Sequence, residues 1–145
     1  MIGIRNAYVI GADIAVTSSV ALVTTGLTSP IAANQSQHIR CWVPITVGAT
    51  GGVRAQLVVP AGGVVFEATF TLHNTVAPAI VDAEQQASAA FTNALANAGD
   101  HWLEIEATIV NGATAGNVDL QMAQNTSDVL TLTISRGGWM DVVKF

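Results

Sequence analysis

Glu104 and Glu106 are the residues best placed to do chemistry. They lie two apart in the run His101 to Val110, and on a strand they would share a face about 7 Å apart. Paired carboxylates can hydrolyse glycosidic bonds. That work also needs a shaped cleft, and no cleft signal accompanies the acids, so a solvated polar face is the plainer expectation. Asp100, Glu104 and Asp119 could offer oxygen ligands to calcium, but without the loop spacing that holds the ion. His38, His73 and His101 are far apart, and neither His-x-x-x-His nor Cys-x-x-Cys occurs, so zinc is not expected. No Gly-x-Ser-x-Gly elbow is present, and Gly48 to Gly52 lacks the Lys-Ser/Thr ending of a phosphate loop. The single cysteine, Cys41, excludes an internal disulfide. It alternates with Ile39, Val43, Ile45 and Val47 and reads as a buried, inert thiol. The sequence therefore predicts no catalytic residue, no cofactor and no metal, and a protein that is not an enzyme.

The elements that would carry these residues are strands. In His101 to Val110, Leu103, Ile105, Ala107 and Ile109 face one way, while Trp102, Glu104, Glu106 and Thr108 face the other. Such period-2 alternation marks a strand with one buried face. The same pattern unites Val118, Leu120 and Met122; Leu130, Leu132 and Ile134; Val53, Ala55, Leu57 and Val59; and Phe66, Ala68, Phe70 and Leu72. Ile14 to Thr24 and Ile31 to Ala33 are weaker strand candidates. Glycine-rich breaks separate the runs at Gly48 to Gly52, Pro60 to Gly63, Asn111 to Gly116 and Arg136 to Gly138, and glycine supplies positive φ at no steric cost. Asn111-Gly112 is a hairpin signal. The spacing predicts an all-β fold, an antiparallel β-sandwich or jelly roll of about eight strands. Val81 to Ala98 has two readings. Asp82 as an N-cap, Gln85 at the third position and a stripe of Ala87, Ala90, Phe91, Ala94 and Leu95 would make one short helix within 81–98. The other reading is a long connection into a strand around Ala87 to Leu95.

Composition narrows the function. The 145 residues suit one domain, which can hold a core without disulfides because folding removes roughly 70% of its unfolded surface from water. Half the residues are hydrophobic and only 10% are charged, against about 25% in ordinary soluble domains. Surface polarity falls to Thr, Ser, Asn, Gln and Gly. Such a balance fits a protein that packs into an assembly, since exposed apolar patches mark interfaces. Net charge is −5 with five basic residues and no basic stripe, so nucleic acid is not an expected partner. No run of 18 apolar residues occurs, so no membrane-spanning helix is expected, and Met1 to Ala12 lacks the pattern of a signal peptide.

Trp42, Trp102 and Trp139 fall opposite the main apolar set of their runs, or beside Gly137-Gly138. Tryptophan off the core face can anchor an interface. With Ile2, Ile4 and Tyr8 of the N-terminal segment they are the candidate interface residues.

The run Gly112-Ala113-Thr114-Ala115-Gly116, then Val118 to Ser127 with its Ala123-Gln124-Asn125, resembles a module of tailed-bacteriophage virion proteins, as do Val129 to Ile134, Arg136 to Met140 and the Lys144-Phe145 finish. Gly26 to Asn34, followed by the His38 to Val47 strand and Thr50 to Arg54, is similar to the same module. The likeness covers about residues 14 to 145 and implies a jelly roll of the tumour-necrosis-factor or C1q-like type. The absence of a fibrous shaft points within that class to a capsid decoration (cement) protein. The implied organisation is a free N-terminal arm over 1–13, able to lie across a neighbouring subunit, and a jelly-roll domain over 14–145. The implied partners are the major capsid protein and the chain itself, as a homotrimer or alternatively a homodimer. The implied location is the head surface of the virion, after assembly in the host cytoplasm. The alternative function is a receptor- or glycan-binding tip of a tail or head fibre.

Overall fold

The computed structural model describes residues 4–48, 50–74, 80–86, 90–93 and 98–145. Within them the chain forms twelve strands and no helix. These are β1 (Ile4–Val9), β2 (Ile14–Val16), β3 (Val23–Ile31), β4 (Ser36–Val47), β5 (Val53–Val58), β6 (Val64–Asn74), β7 (Ile80–Gln86), β8 (Ala90–Asn93), β9 (Gly99–Val110), β10 (Gly116–Ala123), β11 (Leu132–Ile134) and β12 (Trp139–Lys144). The larger sheet runs β1-β12-β4-β9-β6-β7, with β11 bridging β2 and β4, and the smaller runs β3-β10-β5-β8.

The pairing is nested. The first strand pairs with the last, the second with the second-last, and so inward to β6 with β7, every pair antiparallel. The chain is thus one long β-ribbon, doubled back on itself and rolled until it closes two sheets over each other. The order β1-β12-β4-β9 facing β3-β10-β5-β8 is an eight-strand jelly roll, extended by the β6–β7 hairpin beside β9 and by β2 and β11.

The core lies between the sheets, and alternation fills it. Ile39, Cys41, Val43 and Ile45 of β4, Leu103 and Ile105 of β9 and Phe70 and Leu72 of β6 are buried from one side. Leu27 of β3, Leu57 of β5 and Val118, Leu120 and Met122 of β10 meet them from the other. Burial pushes the Cys41 thiol far above its ordinary pKa, as expected of an inert cysteine.

Buried amides lock the loops. Asn111, expected only as a turn signal, is buried, and its Nδ2 donates to the carbonyls of Ala32 and Thr114, each at 2.8 Å. The next residue has no room for a side chain, because a Cβ on Gly112 would lie 2.6 Å from the Gly62 carbonyl oxygen.

Three expectations change. The helix within 81–98 is not formed over the described part of that segment, where Ile80–Gln86 is β7 and Ala90–Asn93 is β8. Asp82, read as an N-cap, instead stands opposite Leu72 in the β6 ladder. Alanine's helix preference is worth only a few tenths of a kcal/mol per residue, less than the hydrogen bonds that β6 would leave open as an edge strand. Residues 87–89 and 94–97 lie outside the described residues. Secondly, the free arm over 1–13 is docked over Ile4–Val9, which pairs in register with β12. Arg5 forks onto Asp141, with Nε 2.8 Å from Oδ2, and Tyr8 packs against the core. Thirdly, Phe66 and Leu130 leave the faces assigned to them and are exposed. The β6 ladder shifts register between Val65 and Glu67, so one extra residue is extruded at Phe66. Leu130 lies before β11 begins, in a bend held by Asp128.

Candidate interaction surface

The outer face of the larger sheet carries most of the residues singled out by sequence. Alternation sends their neighbours into the core and leaves them on the far side. Register then sets them in rows across the strands. One row holds Trp139, Trp42, Glu104 and Thr71. The next toward the sheet end holds Pro44, Trp102 and His73. The rings interlock diagonally: Trp42 stacks on Trp102 with centroids 5.1 Å apart, and Trp102 stacks on His73 at 5.0 Å and 9°. All three tryptophans are half-buried. Of the remaining interface candidates, Ile2 lies outside the described residues, Ile4 is placed by its backbone in β1, and Tyr8 is turned inward.

Charged and titratable rows follow. The Arg40 guanidinium reaches Glu104 Oε1 at 2.6 Å, and His73 Nε2 lies 3.4 Å from Glu104 Oε2. His38 Nε2 meets Glu106 Oε1 at 3.1 Å. Glu104 and Glu106 share a face, as expected, but each has its own basic partner. The hydrogen bond from Arg40 holds the Glu104 carboxyl below the usual carboxylate range, the opposite of the raised pKa that a glycosidase acid needs. Asp141 is likewise held low by Arg5. The calcium candidates are dispersed: Asp100 accepts from Thr46 Oγ1 at 2.6 Å, and Asp119, in the other sheet, accepts from Thr28 Oγ1 at 2.5 Å. Among the described residues no three His, Cys, Asp or Glu side chains gather as a metal site.

The far end of this face is apolar. Phe145 exchanges two backbone hydrogen bonds with Ser36, Ser36 pairs with Val110, and Val110 pairs with Val64. Phe145, Val110 and Val64 are 55%, 44% and 55% exposed, and the nearby Phe66 bulge is 67% exposed. Sequence reasoning missed this strip. Its one signal was Val64-Val65-Phe66, an apolar run without alternation.

A second apolar group stands on the loops. Val20, Val129 and Leu130 are exposed, on segments tied together by Gln124 and Asp128. Asp128 Oδ2 accepts from Thr50 Oγ1 at 2.6 Å, Oδ1 accepts from the Leu130 amide at 3.0 Å, and the Asp128 carbonyl accepts from the Ser18 amide. The Leu130 amide foremost, with the Thr50 hydroxyl, holds the Asp128 carboxyl below its ordinary range.

No protein-family model matches the sequence, and no curated protein matches it. Similar solved structures include viral capsid proteins. A chain of infectious bursal disease virus, Gx strain, aligns with 98% of this chain at 12% identity and a TM-score of 0.32. VP2 of that virus, in derived T=1 particles, aligns with 98% at 9% identity and a TM-score of 0.27. A chain of Bacillus endospore appendages, which are disulfide-linked pili, aligns with 92% at 13% identity and a TM-score of 0.25. This chain spans 39% of each of the two viral chains and 88% of the pilus chain. Superpositions this loose say nothing about function, which the chain's own surface must carry.

Proposed function

We propose that the chain is a non-enzymatic structural protein of a bacteriophage virion, a decoration protein that binds the outer face of the head and stabilises it. It acts as a homotrimer, with a homodimer as the alternative, and its other partner is the major capsid protein. Assembly takes place in the host cytoplasm. The observation that carries the reading is the outer face of the larger sheet. Half-buried indoles stand at one end, an exposed apolar strip stands at the other, and between them Arg40 is paired with Glu104 and Arg5 with Asp141.

Covering such a face removes apolar area from water at about 25 cal/mol per Å². The charges already paired within the chain, Arg40 with Glu104 and Arg5 with Asp141, cost less to cover than lone ions would. A protein that binds the assembled shell and not its separate parts stabilises the shell by mass action, and many copies linked on a symmetric lattice add avidity. Glu104, ionised and bound to Arg40, supports a structural role over a catalytic one.

The test is the copy number of the chain per virion, by quantitative mass spectrometry against the major capsid protein. Hundreds of copies support the head lattice. A handful to a few tens overturn it in favour of a receptor-binding tip. Light scattering on the isolated protein should give three chain masses, and Phe66→Asp or Val110→Asp should lower that mass if the strip is the contact between copies.

A further inference from the structure

A hollow opens at the aromatic end of the outer face, and the fold explains its position. β11 pairs with β4 at Thr46 and Ile45, and β12 takes over at Trp42. Between them the chain makes the turn Ser135 to Gly138. Pro44 occupies the changeover, where a residue without an N–H costs no ladder bond, and its carbonyl accepts from the Ser135 amide at 2.9 Å. Gly138 lets the turn lie close, since a Cβ there would stand 3.2 Å from the Trp42 carbonyl oxygen and 2.8 Å from Ile10 Cδ1. The result is a concavity of about 340 Å³ whose lining includes Trp42, Pro44, Trp102, Thr46, Asp100 and Ser135.

We infer that this hollow binds a single neutral pyranose ring of a glycan. Two indoles and a pyrrolidine ring offer an apolar wall suited to the C–H face of a sugar. Thr46, Asp100 and Ser135 offer hydroxyl and carboxylate groups suited to vicinal hydroxyls. Apolar walls with a few placed polar groups are the general form of a small-molecule site. The volume lies at the lower end of the roughly 300–1,000 Å³ range for such sites, which fits one ring and not a chain of them. The lining contains no Lys or Arg and includes a carboxylate, so phosphate and acidic sugars are disfavoured. The Trp102–His73 stack and the Trp42–Trp102 stack brace the wall before any sugar arrives, reducing the entropy lost on binding. This site is separate from the apolar strip but shares Trp42 and Trp102 with the face described above, so it is tested on the isolated chain, where that face is uncovered.

The experiment titrates the full chain with the methyl glycosides of glucose, galactose, mannose and N-acetylglucosamine, read by saturation-transfer NMR and tryptophan fluorescence. Choline chloride serves as the probe for an aromatic cation site. At least one glycoside should bind saturably in the millimolar range, as expected for a ligand of a dozen heavy atoms at modest efficiency. Asp100→Asn, which keeps the shape of the hollow, should weaken that binding about tenfold through loss of a charged acceptor. Trp102→Ala should abolish it, and Trp139→Phe, outside the hollow, should leave it intact. The inference is overturned if no glycoside binds, if choline binds and the glycosides do not, or if Asp100→Asn binds as the parent does. Copy number in the virion is measured independently, so either reading can fail without the other.

Discussion

Gln124→Glu should be far more damaging than its size suggests. Gln124 is buried immediately after β10. Its Oε1 accepts from the Ser19 and Asp128 amides, both at 3.1 Å. Its Nε2 donates to the carbonyls of Asp128 at 3.1 Å and Leu130 at 2.6 Å. A carboxamide has two N–H donors and an oxygen with two lone pairs, and all four are used. Glutamate keeps the shape and the accepting oxygen, but sets an ionised oxygen against two carbonyl oxygens. Two hydrogen bonds are lost at about 1 kcal/mol each, and a buried charge without a partner costs several more, giving about 3–5 kcal/mol at pH 7. For a domain this size that is a fall of roughly 10–20 °C in thermal midpoint. The sign of the pH dependence follows from linkage. The substituted carboxyl is raised in the folded state above its unfolded value of about 4.3, so the deficit is small below that pH and grows as pH rises. Urea unfolding of parent and variant at pH 4 and pH 7 measures it. A deficit under about 0.5 kcal/mol at pH 7, within the range of ordinary surface changes, would refute the reasoning, as would one that fails to shrink in acid.

Three further outcomes are expected. Phe70→Ala should cost about 3–5 kcal/mol in urea unfolding, as for a buried aromatic, while Phe66→Ala should cost under about 0.5 kcal/mol; equal costs would refute the bulge. Deleting residues 1–9 removes the β1 ladder and the packing of Tyr8, so the thermal midpoint should fall and aggregation should rise as the β12 edge is uncovered, whereas Arg5→Ala, which removes only an exposed ion pair, should lower the midpoint far less; an unaltered truncated protein would restore a dispensable arm. The parent protein should lose stability as pH falls below about 4, because Glu104, Asp128 and Asp141 have folded pKa values depressed below their unfolded ones, so that their contribution is present above that range and lost beneath it; Asp128→Asn should flatten this acid limb in a pH series of thermal melts.

Faces were legible in the sequence wherever one strand obeyed one alternation. Leu103, Ile105, Ala107 and Ile109 are buried as their spacing required, with Trp102 and Glu104 opposite. Val118, Leu120 and Met122, and Val53, Ala55 and Leu57, behave likewise. Alternation fails where a residue is added or a strand stops. The extra residue at Phe66 shifts the count in β6, and the Asp128 bend frees Leu130 from the pattern of Leu132 and Ile134. The segment over 81–98 was ambiguous for another reason: its alanines carry helix propensity in their own sequence, but the open edge of β6 that takes up Ile80–Gln86 is a property of the whole sheet. Val23–Ile31 contains Gly26 and Pro30, and the sequence offered only its two ends, within Ile14 to Thr24 and Ile31 to Ala33, as weak strand candidates. It is a strand because Gly26 takes a positive φ where the β10 register slips.

Neighbours, unlike faces, could not be read from any one run. Trp42 and Trp102 lie sixty residues apart and touch because nested pairing sets β4 against β9 over its full length. His73 joins them only because the ribbon's closing hairpin lands on the other edge of β9, and Ser135 arrives from the opposite side through β11. The hollow beside Pro44 therefore samples three distant parts of the chain, each with its own local reason for being a strand. A one-residue slip of β9 against β4 would send Trp102 and Glu104 into the core and Leu103 and Ile105 into water, so core burial itself fixes the register that stacks the indoles and pairs Glu104 with Arg40. Stability and recognition are in this way specified by opposite faces of the same ladder, and a change to the core that shifts register should disturb the outer surface even where it touches none of it.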